Sequence, residues 1–317
     1  MRIVVIGGTG HIGTYLLPRL VQLGHDVLNV SRAGRPPYRE TGIWSFVEQV
    51  TLDRAAEERK GTFGDAILHL DPDAVIDLIC FTLESAQDLV RTLTGHVRHY
   101  LFCGSVWVHG PSVNVPTTEE EPRHPFGEYG IQKAAIESFL LAEARERAFP
   151  VAILHPGHIV GRGWAPLNPQ GHFNPAVFER LARGEELILP NLGMETVHHV
   201  HADDVAQAFC RVLANWSAAE GESFHVVSPA ALTLRGYAER MAQWFGKEAR
   251  LSFKPWDSWK QGVSTDEAAA TWDHIAHSPN CSIAKARRLI GFAPRYSSLE
   301  AVCESVEWLS DHGVIRV

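Results

Sequence analysis

Tyr129-Gly130-Ile131-Gln132-Lys133 sets a phenol and an ammonium four residues apart, on one face if the segment is helical. A free tyrosine ionises near ~10, too high to act as a base near neutrality. A neighbouring Lys⁺, together with a cationic ring on a bound cofactor, would favour the phenolate and bring that pKa down. The Y-x-x-x-K spacing alone is common by chance. It gains weight from the upstream run Leu101-Phe102-Cys103-Gly104-Ser105-Val106-Trp107-Val108-His109-Gly110, an apolar strand-like stretch that ends in the hydroxyl of Ser105, 24 positions before the tyrosine. Hydroxyl, phenol and ammonium together suit proton transfer coupled to hydride transfer at a carbon–oxygen bond.

A hydride carrier has its own signal. Gly7-Gly8-Thr9-Gly10-His11-Ile12-Gly13 follows the strand-like run Arg2–Ile6 and opens a helical pattern over Thr14–Leu23. Glycines 7, 10 and 13 allow a tight turn, close backbone approach and tight helix packing, and the helix N-terminus offers free N–H groups to a pyrophosphate. In this strand–turn–helix setting the pattern predicts a dinucleotide site, hence a nicotinamide cofactor. At the end of the second strand an NAD site usually carries a carboxylate for the ribose diol. This chain reads Leu28-Asn29-Val30-Ser31-Arg32 there. A hydroxyl followed by a guanidinium suits a 2′-phosphate. NADP is favoured, with NAD left open.

These groups need a scaffold. Short β-branched runs alternate with helical patterns: strands over Arg2–Ile6, Asp26–Val30, Asp73–Cys80, His99–Cys103 and Val151–His155, and a long helix over Glu128–Ala148. That rhythm predicts right-handed βαβ units, an α/β Rossmann-type doubly wound parallel sheet. From Gly161 the chain becomes rich in Gly, Pro and Asn. Strand and helix return over Thr196–Val212, and six of the nine tryptophans follow (Trp216, Trp244, Trp256, Trp259, Trp272, Trp308). The expected division is a dinucleotide-binding domain over 1–165, rejoined at about 196–215, and a mainly substrate-binding lobe over 166–317. The length and the 45% hydrophobic composition allow a sizeable core, and the formal charge of −8 disfavours nucleic acid and anionic lipid as partners. Five scattered cysteines form no C-x-x-C pair, which fits a reducing compartment. No run has the length of a membrane span or of a signal peptide's apolar region, so a cytoplasmic protein without membrane partners is expected.

Taken together these motifs resemble the extended short-chain dehydrogenase/reductases, the group that contains the NAD(P)-dependent epimerases and dehydratases. The resemblance spans nearly the whole chain. Asp53 in Thr51-Leu52-Asp53-Arg54 resembles the aspartate that contacts adenine, and His155-Pro156-Gly157-His158-Ile159-Val160-Gly161 looks like the segment beside the nicotinamide. His201-Ala202-Asp203-Asp204-Val205-Ala206 resembles the family's strand-to-helix signature, and Lys285–Pro294 its C-terminal helix and turn. The resemblance implies catalysis by Ser105, Tyr129 and Lys133. Lys133 would hold the ribose, Tyr129 move the proton and Ser105 orient the substrate oxygen. The implied cofactor contacts are Gly7, Gly10, His11, Ile12, Gly13, Ser31, Arg32, Asp53, Ile79, Cys80, Tyr129, Lys133, Pro156 and His158. It also leaves open a homodimer through the long helices that include the Tyr129 helix.

The substrate side departs from the sugar-nucleotide pattern. Glu195-Thr196-Val197-His198-His199-Val200 carries no arginine ahead of the Asp-Asp pair, where such enzymes often place one for a diphosphate. His155 stands where arginine is common, and His109 where tyrosine is usual. Val106-Trp107 replaces the Asp-Glu pair of the dehydratases, and Trp107 is expected to narrow the pocket or stack on a ring. His158, His172 and Asn174 are the other expected substrate contacts, either histidine being a candidate second acid or base. His198, His199 and His201 fall on one predicted strand, but no carboxylate or thiolate completes a tetrahedral set, so no metal is expected. The reading is an epimerase that keeps its cofactor or a reductase that exchanges it, acting on a small polar, sugar-like hydroxyl or carbonyl compound. The alternative is a catalytically silent dinucleotide sensor or RNA-associated protein on the same fold. The intact Ser105, Tyr129 and Lys133 and the negative charge speak against it.

Overall fold

The computed structural model describes residues 1–32, 36–39 and 41–317. Its first half is built as the periodicity demands. In β1 (Arg2–Ile6), Ile3 and Val5 point into one core and Val4 and Ile6 into another, so a sheet buried on both faces starts at once. α1 (His11–Gln22) covers the first face with Leu16, Leu17 and Leu20. β2 (Asp26–Ser31) and β3 (Val47–Thr51) extend the sheet on one side. α2 (Arg54–Lys60) and α3 (Phe63–Leu68) lead to β4 (Ala74–Asp77), and α4 (Leu83–Leu93) to β5 (His99–Cys103). α5 (Gly127–Arg147) then returns the chain to β6 (Val151–Pro156). Every pairing among these strands is parallel.

β4 is shorter than the expected Asp73–Cys80. Leu78 still donates to the Ile6 carbonyl at 3.1 Å, but β1 then turns away at Gly7 and the strand loses that neighbour.

Beyond β6 the chain leaves the sheet. β7 (His158–Val160) leads to α6 (Ala176–Ala182) and β8 (Glu186–Pro190), and β9 (Thr196–Val197) precedes β10 (His199–His201), which pairs with β7. α7 (Ala202–Ala214) packs on α1, and after α8 (Trp216–Ala219) the strand β11 (Ser223–Val226) joins β6. The sheet order is β11-β6-β5-β4-β1-β2-β3. The return to the sheet therefore runs past the expected 196–215 stretch.

β12 (Leu232–Thr233) pairs with β9, α9 (Leu234–Trp244) follows, and β13 (Arg250–Lys254) pairs with β8. α10 (Trp256–Trp259), α11 (Thr265–His277), α12 (Ala284–Ile290) and α13 (Ser298–Asp311) complete the chain. Phe178, Leu189, Tyr237, Met241 and Val302 share a third core here, separate from the two that flank the sheet. Among the described residues no helix is long and apolar enough to cross a membrane.

Candidate active site

The glycine turn between β1 and α1 meets the steric demands of a phosphate cradle. Gly7 has φ +88°, a conformation that L side chains rarely adopt. A Cβ on Gly13 would lie 2.0 Å from the Gly8 carbonyl oxygen, so only glycine lets α1 seat this close. The turn opens onto a groove of about 540 Å³ lined by Gly7, Gly10, Ser31, Arg32, Asp53 and Ile79 among others. Its charges are mostly spoken for. Asp53 caps α2 by accepting from the Ala56 N–H at 2.9 Å. Arg54 is clasped by buried Asp77 at 2.8 and 2.9 Å and by Glu58 at 2.7 Å. Arg32 is exposed and forms no ion pair with a described residue, which leaves its guanidinium open to an anion at the far end of β2. The groove's size, the glycine cradle and the orphan N–H groups of the α1 N-terminus fit a dinucleotide. The expected contacts at His11, Ile12 and Gly13 reduce to backbone: Ile12 is buried in the core, and the His11 ring packs against Trp164 and Tyr38 at centroid distances of 4.3 and 4.8 Å.

Lys133 and Ser105 meet at the carboxyl ends of β4 and β5. Lys133 is 1% exposed, and its Nζ donates to the carbonyls of Cys80 (2.8 Å) and Cys103 (2.7 Å), so the ammonium ties the two strand ends together. Burial lowers its pKa. Ser105 is also buried, and its Oγ accepts from the Trp107 N–H at 3.3 Å, capping the short 3-10 turn Val106–His109. Tyr129 is 46% exposed, but its hydroxyl lies within hydrogen-bonding reach of Ser105. Here the structure differs from the expectation of an acidified phenol. Burial pushes Tyr129 up to about 12, and the Ser105 contact offsets only part of that. The Lys133 ammonium, 5.7 Å from the Tyr129 ring centroid, is turned to the two carbonyls.

Trp107 leaves this centre for a nest of aromatic rings. Its Nε1 donates to Asp273 at 3.1 Å, its ring stacks on His277 at 4.2 Å, and it meets His158 and His274 edge-on at 4.9 and 5.5 Å. Burial, with neighbouring histidines adding to it, holds His158 well below its ordinary pKa. His198 (about 4) and His199 (about 3) are depressed by burial in the same way. Both are engaged by the protein: His198 with the Ser228 carbonyl and the Cys281 N–H, His199 with the Leu167 carbonyl. His198 and His199 therefore bring no positive charge ahead of the Asp-Asp pair. His201 serves structure, accepting from the Asp203 N–H and meeting Glu304 at 2.5 Å. Among the described residues no group of three or more His, Cys, Asp or Glu is arranged to hold a metal.

The remaining expected residues divide. Pro156 ends β6 and Cys80 contributes its carbonyl, its own thiol being buried and pushed up to about 12. His172 and Asn174 do not join Ser105, Tyr129 and Lys133. They line a second cavity of about 250 Å³ with Gln170, Arg180, Lys254, Trp259 and Glu267. Asn174 donates to Glu267 at 2.6 Å and accepts from the Ala176 N–H. Residues the sequence reading missed are His274, His277 and Asp273. They sit on α11, more than 160 positions from Trp107, and the i, i+3 spacing of the two histidines was their only signal.

Comparison with known proteins agrees with this geometry. Residues 3–226 match the model of the NAD dependent epimerase/dehydratase family. The chain is 29% identical over 247 residues to 2'-dehydrokanamycin reductase of Streptomyces kanamyceticus, covering 78% of this chain and 67% of that protein. It is 24% identical over 339 residues to the chloroplast stem-loop binding protein of 41 kDa b of Arabidopsis thaliana, covering 99% and 81% respectively. Among solved structures it superposes on the UDP-glucose 4-epimerase of Thermotoga maritima with UDP-glucose. The TM-score is 0.75, at 21% identity over 98% of this chain and 99% of that one.

Proposed function

The chain belongs to the NAD dependent epimerase/dehydratase family, and from that premise we propose that it is an NADPH-dependent reductase of a small polar carbonyl compound, a keto-sugar or similar ring. When bound, the reduced nicotinamide supplies the hydride. Ser105 would orient the carbonyl oxygen, and Tyr129 would give its hydroxyl proton to that oxygen to complete the alcohol, the resulting tyrosinate regaining a proton from solvent. Lys133, with two of its three N–H donors on strand-end carbonyls, has one left for the ribose.

The observation that carries the reading is geometric: buried Lys133 ties the ends of β4 and β5 together beside Ser105, with Tyr129 one turn before it on α5 and its phenol pushed up by burial. The direction of reduction follows the likeness to a reductase. A phenol held protonated is poised to donate, and a reduced nicotinamide, being uncharged, does not counter that bias as the oxidised ring would. NADPH over NADH rests on Ser31 and the open Arg32 at the groove. The small substrate rests on His198 and His199, which burial keeps from carrying positive charge ahead of the Asp-Asp pair. A diphosphate would need fixed cations to replace its hydration. The reductase among the relatives makes keto-aminoglycosides the first compounds to try. A net charge of −8 gives an RNA-binding role no support.

The test follows NADPH oxidation with 2'-dehydrokanamycin and a panel of keto-sugars, alongside titration of the loaded protein with UDP and UDP-sugars. Turnover of a keto compound supports the reading. Dinucleotide retained through purification with micromolar UDP-sugar binding would make the protein an epimerase instead.

A further inference from the structure

Ser105 is held from behind by a chain of buried groups that the reaction itself does not touch. The Ser105 N–H donates to His155 Nδ1 at 3.0 Å. His155 is fully buried, and its ring lies so close to the preceding residue that a Cβ on Gly104 would fall 2.3 Å from Nδ1. A backbone N–H can only give a proton, so Nδ1 is the bare nitrogen and the imidazole proton sits on Nε2. That Nε2 faces Glu137 Oε1 at 2.8 Å. Glu137, one turn beyond Lys133 on α5, is gripped by Arg123 through paired contacts of 2.7 and 2.9 Å.

The proton assignments continue without conflict on the other side of Arg123. Its Nη1 faces His109 Nδ1 at 3.4 Å, His109 Nε2 meets His225 Nε2 at 2.7 Å, and His225 Nδ1 meets the Ser282 carbonyl at 3.2 Å. A carbonyl can only accept, so His225 carries its proton on Nδ1 and receives one from His109, whose Nδ1 is then free to accept from Arg123. Every proton in the chain has one place to be. Arginine at position 155, having donors only, could not take the Ser105 N–H.

We infer that His155, fixed in one tautomer by the Glu137–Arg123 pair, is a positioning residue that holds the Ser105 backbone so that its hydroxyl faces Tyr129 and the substrate oxygen. This rests on the reading of Ser105 as the group that orients the substrate oxygen. His155 acts through Ser105 alone, which separates it from a residue that merely fills space.

Two substitutions divide its contacts. His155→Asn keeps an acceptor where Nδ1 was and gives up Glu137, whereas His155→Gln keeps a donor where Nε2 was and gives up Ser105. Both lose the same ring packing. With NADPH and the best keto substrate of the panel, His155→Gln is expected to lower kcat by about tenfold or more, with NADPH affinity within about threefold of wild type, and His155→Asn to recover most of the loss. In a Ser105→Ala background the two variants should turn over equally. Amide hydrogen exchange, which needs no substrate, should show the Ser105 N–H deprotected in His155→Gln and still protected in His155→Asn. Equal losses in Asn and Gln, an undiminished Gln effect in the Ser105→Ala background, or unchanged Ser105 exchange would each overturn the inference. Full turnover by Ser105→Ala alone would instead defeat the catalytic reading, while the exchange measurement still decides the His155 contact.

Discussion

The hydroxyl of Tyr129 is one oxygen atom, and the proposed chemistry turns on it. Tyr129→Phe removes the proton donor while leaving phosphate and adenine contacts in place, so turnover should fall on the order of 10²-fold or more with NADPH affinity nearly intact. Steady-state rates and a fluorescence titration check both halves, and turnover within about threefold of wild type would sink the assignment. Arg32 is tested by charge reversal. Arg32→Asp should weaken NADP binding by more than about tenfold and leave NAD equal or better, because the guanidinium would meet only the 2′-phosphate. An unchanged NADP/NAD ratio in paired titrations would reduce Arg32 to a surface residue. Ser105, Tyr129 and Lys133 were legible in the sequence because their spacing is a local pattern. The contact between His155 and Ser105, or between His109 and His225, joins residues 50 and 116 positions apart, and no periodicity announces it.

Elements place these atoms, and the tightest placement is α1 against the turn before it. Gly13→Ala drives a methyl into the Gly8 backbone, which cannot swing aside as a side chain can. A loss of about 1–3 kcal/mol in stability is expected, together with weaker dinucleotide binding, since α1 must withdraw from the cradle. Gly42→Ala, where a Cβ meets nothing within 4 Å, is the control and should be neutral in both thermal melts and titrations. Comparable melts for the two variants would show the turn to be more pliant than it looks. The same scale explains what the sequence told and withheld. β1 and β5 occupy the expected residues because continuous apolar runs are what a strand buried on both faces requires. β3 (Val-Glu-Gln-Val-Thr) escaped notice because it is an edge strand with only Val47 buried, and β11 because four residues are too few to show a period.

At the scale of the whole molecule, several buried histidines are held well below their ordinary pKa. Burial depresses His109 and His199 to about 3 and His172 and His198 to about 4. In the unfolded chain each would titrate near its ordinary 6.5. Below that pH the unfolded state binds protons that the native state refuses, so stability is complete above pH 6.5 and drains away as the pH falls toward 4. Each histidine contributes about 1.4 kcal/mol per pH unit in that window, so the four together contribute at most about 5–6 kcal/mol per pH unit. Glu304, held by His201 and Arg162 and lowered from 4.5 to about 2, adds a further loss as the pH drops below 4.5. Melting temperatures should therefore fall steeply between pH 6.5 and 5, before most carboxylates protonate. A flat profile over that interval would mean that the histidines are not neutral in the folded protein.

Trp107 gives the molecule an optical handle. Indole emits in the band where reduced nicotinamide absorbs and the oxidised ring does not, and this indole lies two residues beyond Ser105, with its Nε1 pinned to Asp273 and its ring stacked on His277. On the proposed reading it is a donor beside the acceptor, so NADPH should quench protein emission and brighten its own, while NADP should do neither. Eight other tryptophans share the signal, and the difference between wild type and Trp107→Phe isolates this one. The redox state of the cofactor could then be followed by light alone, before any substrate is known.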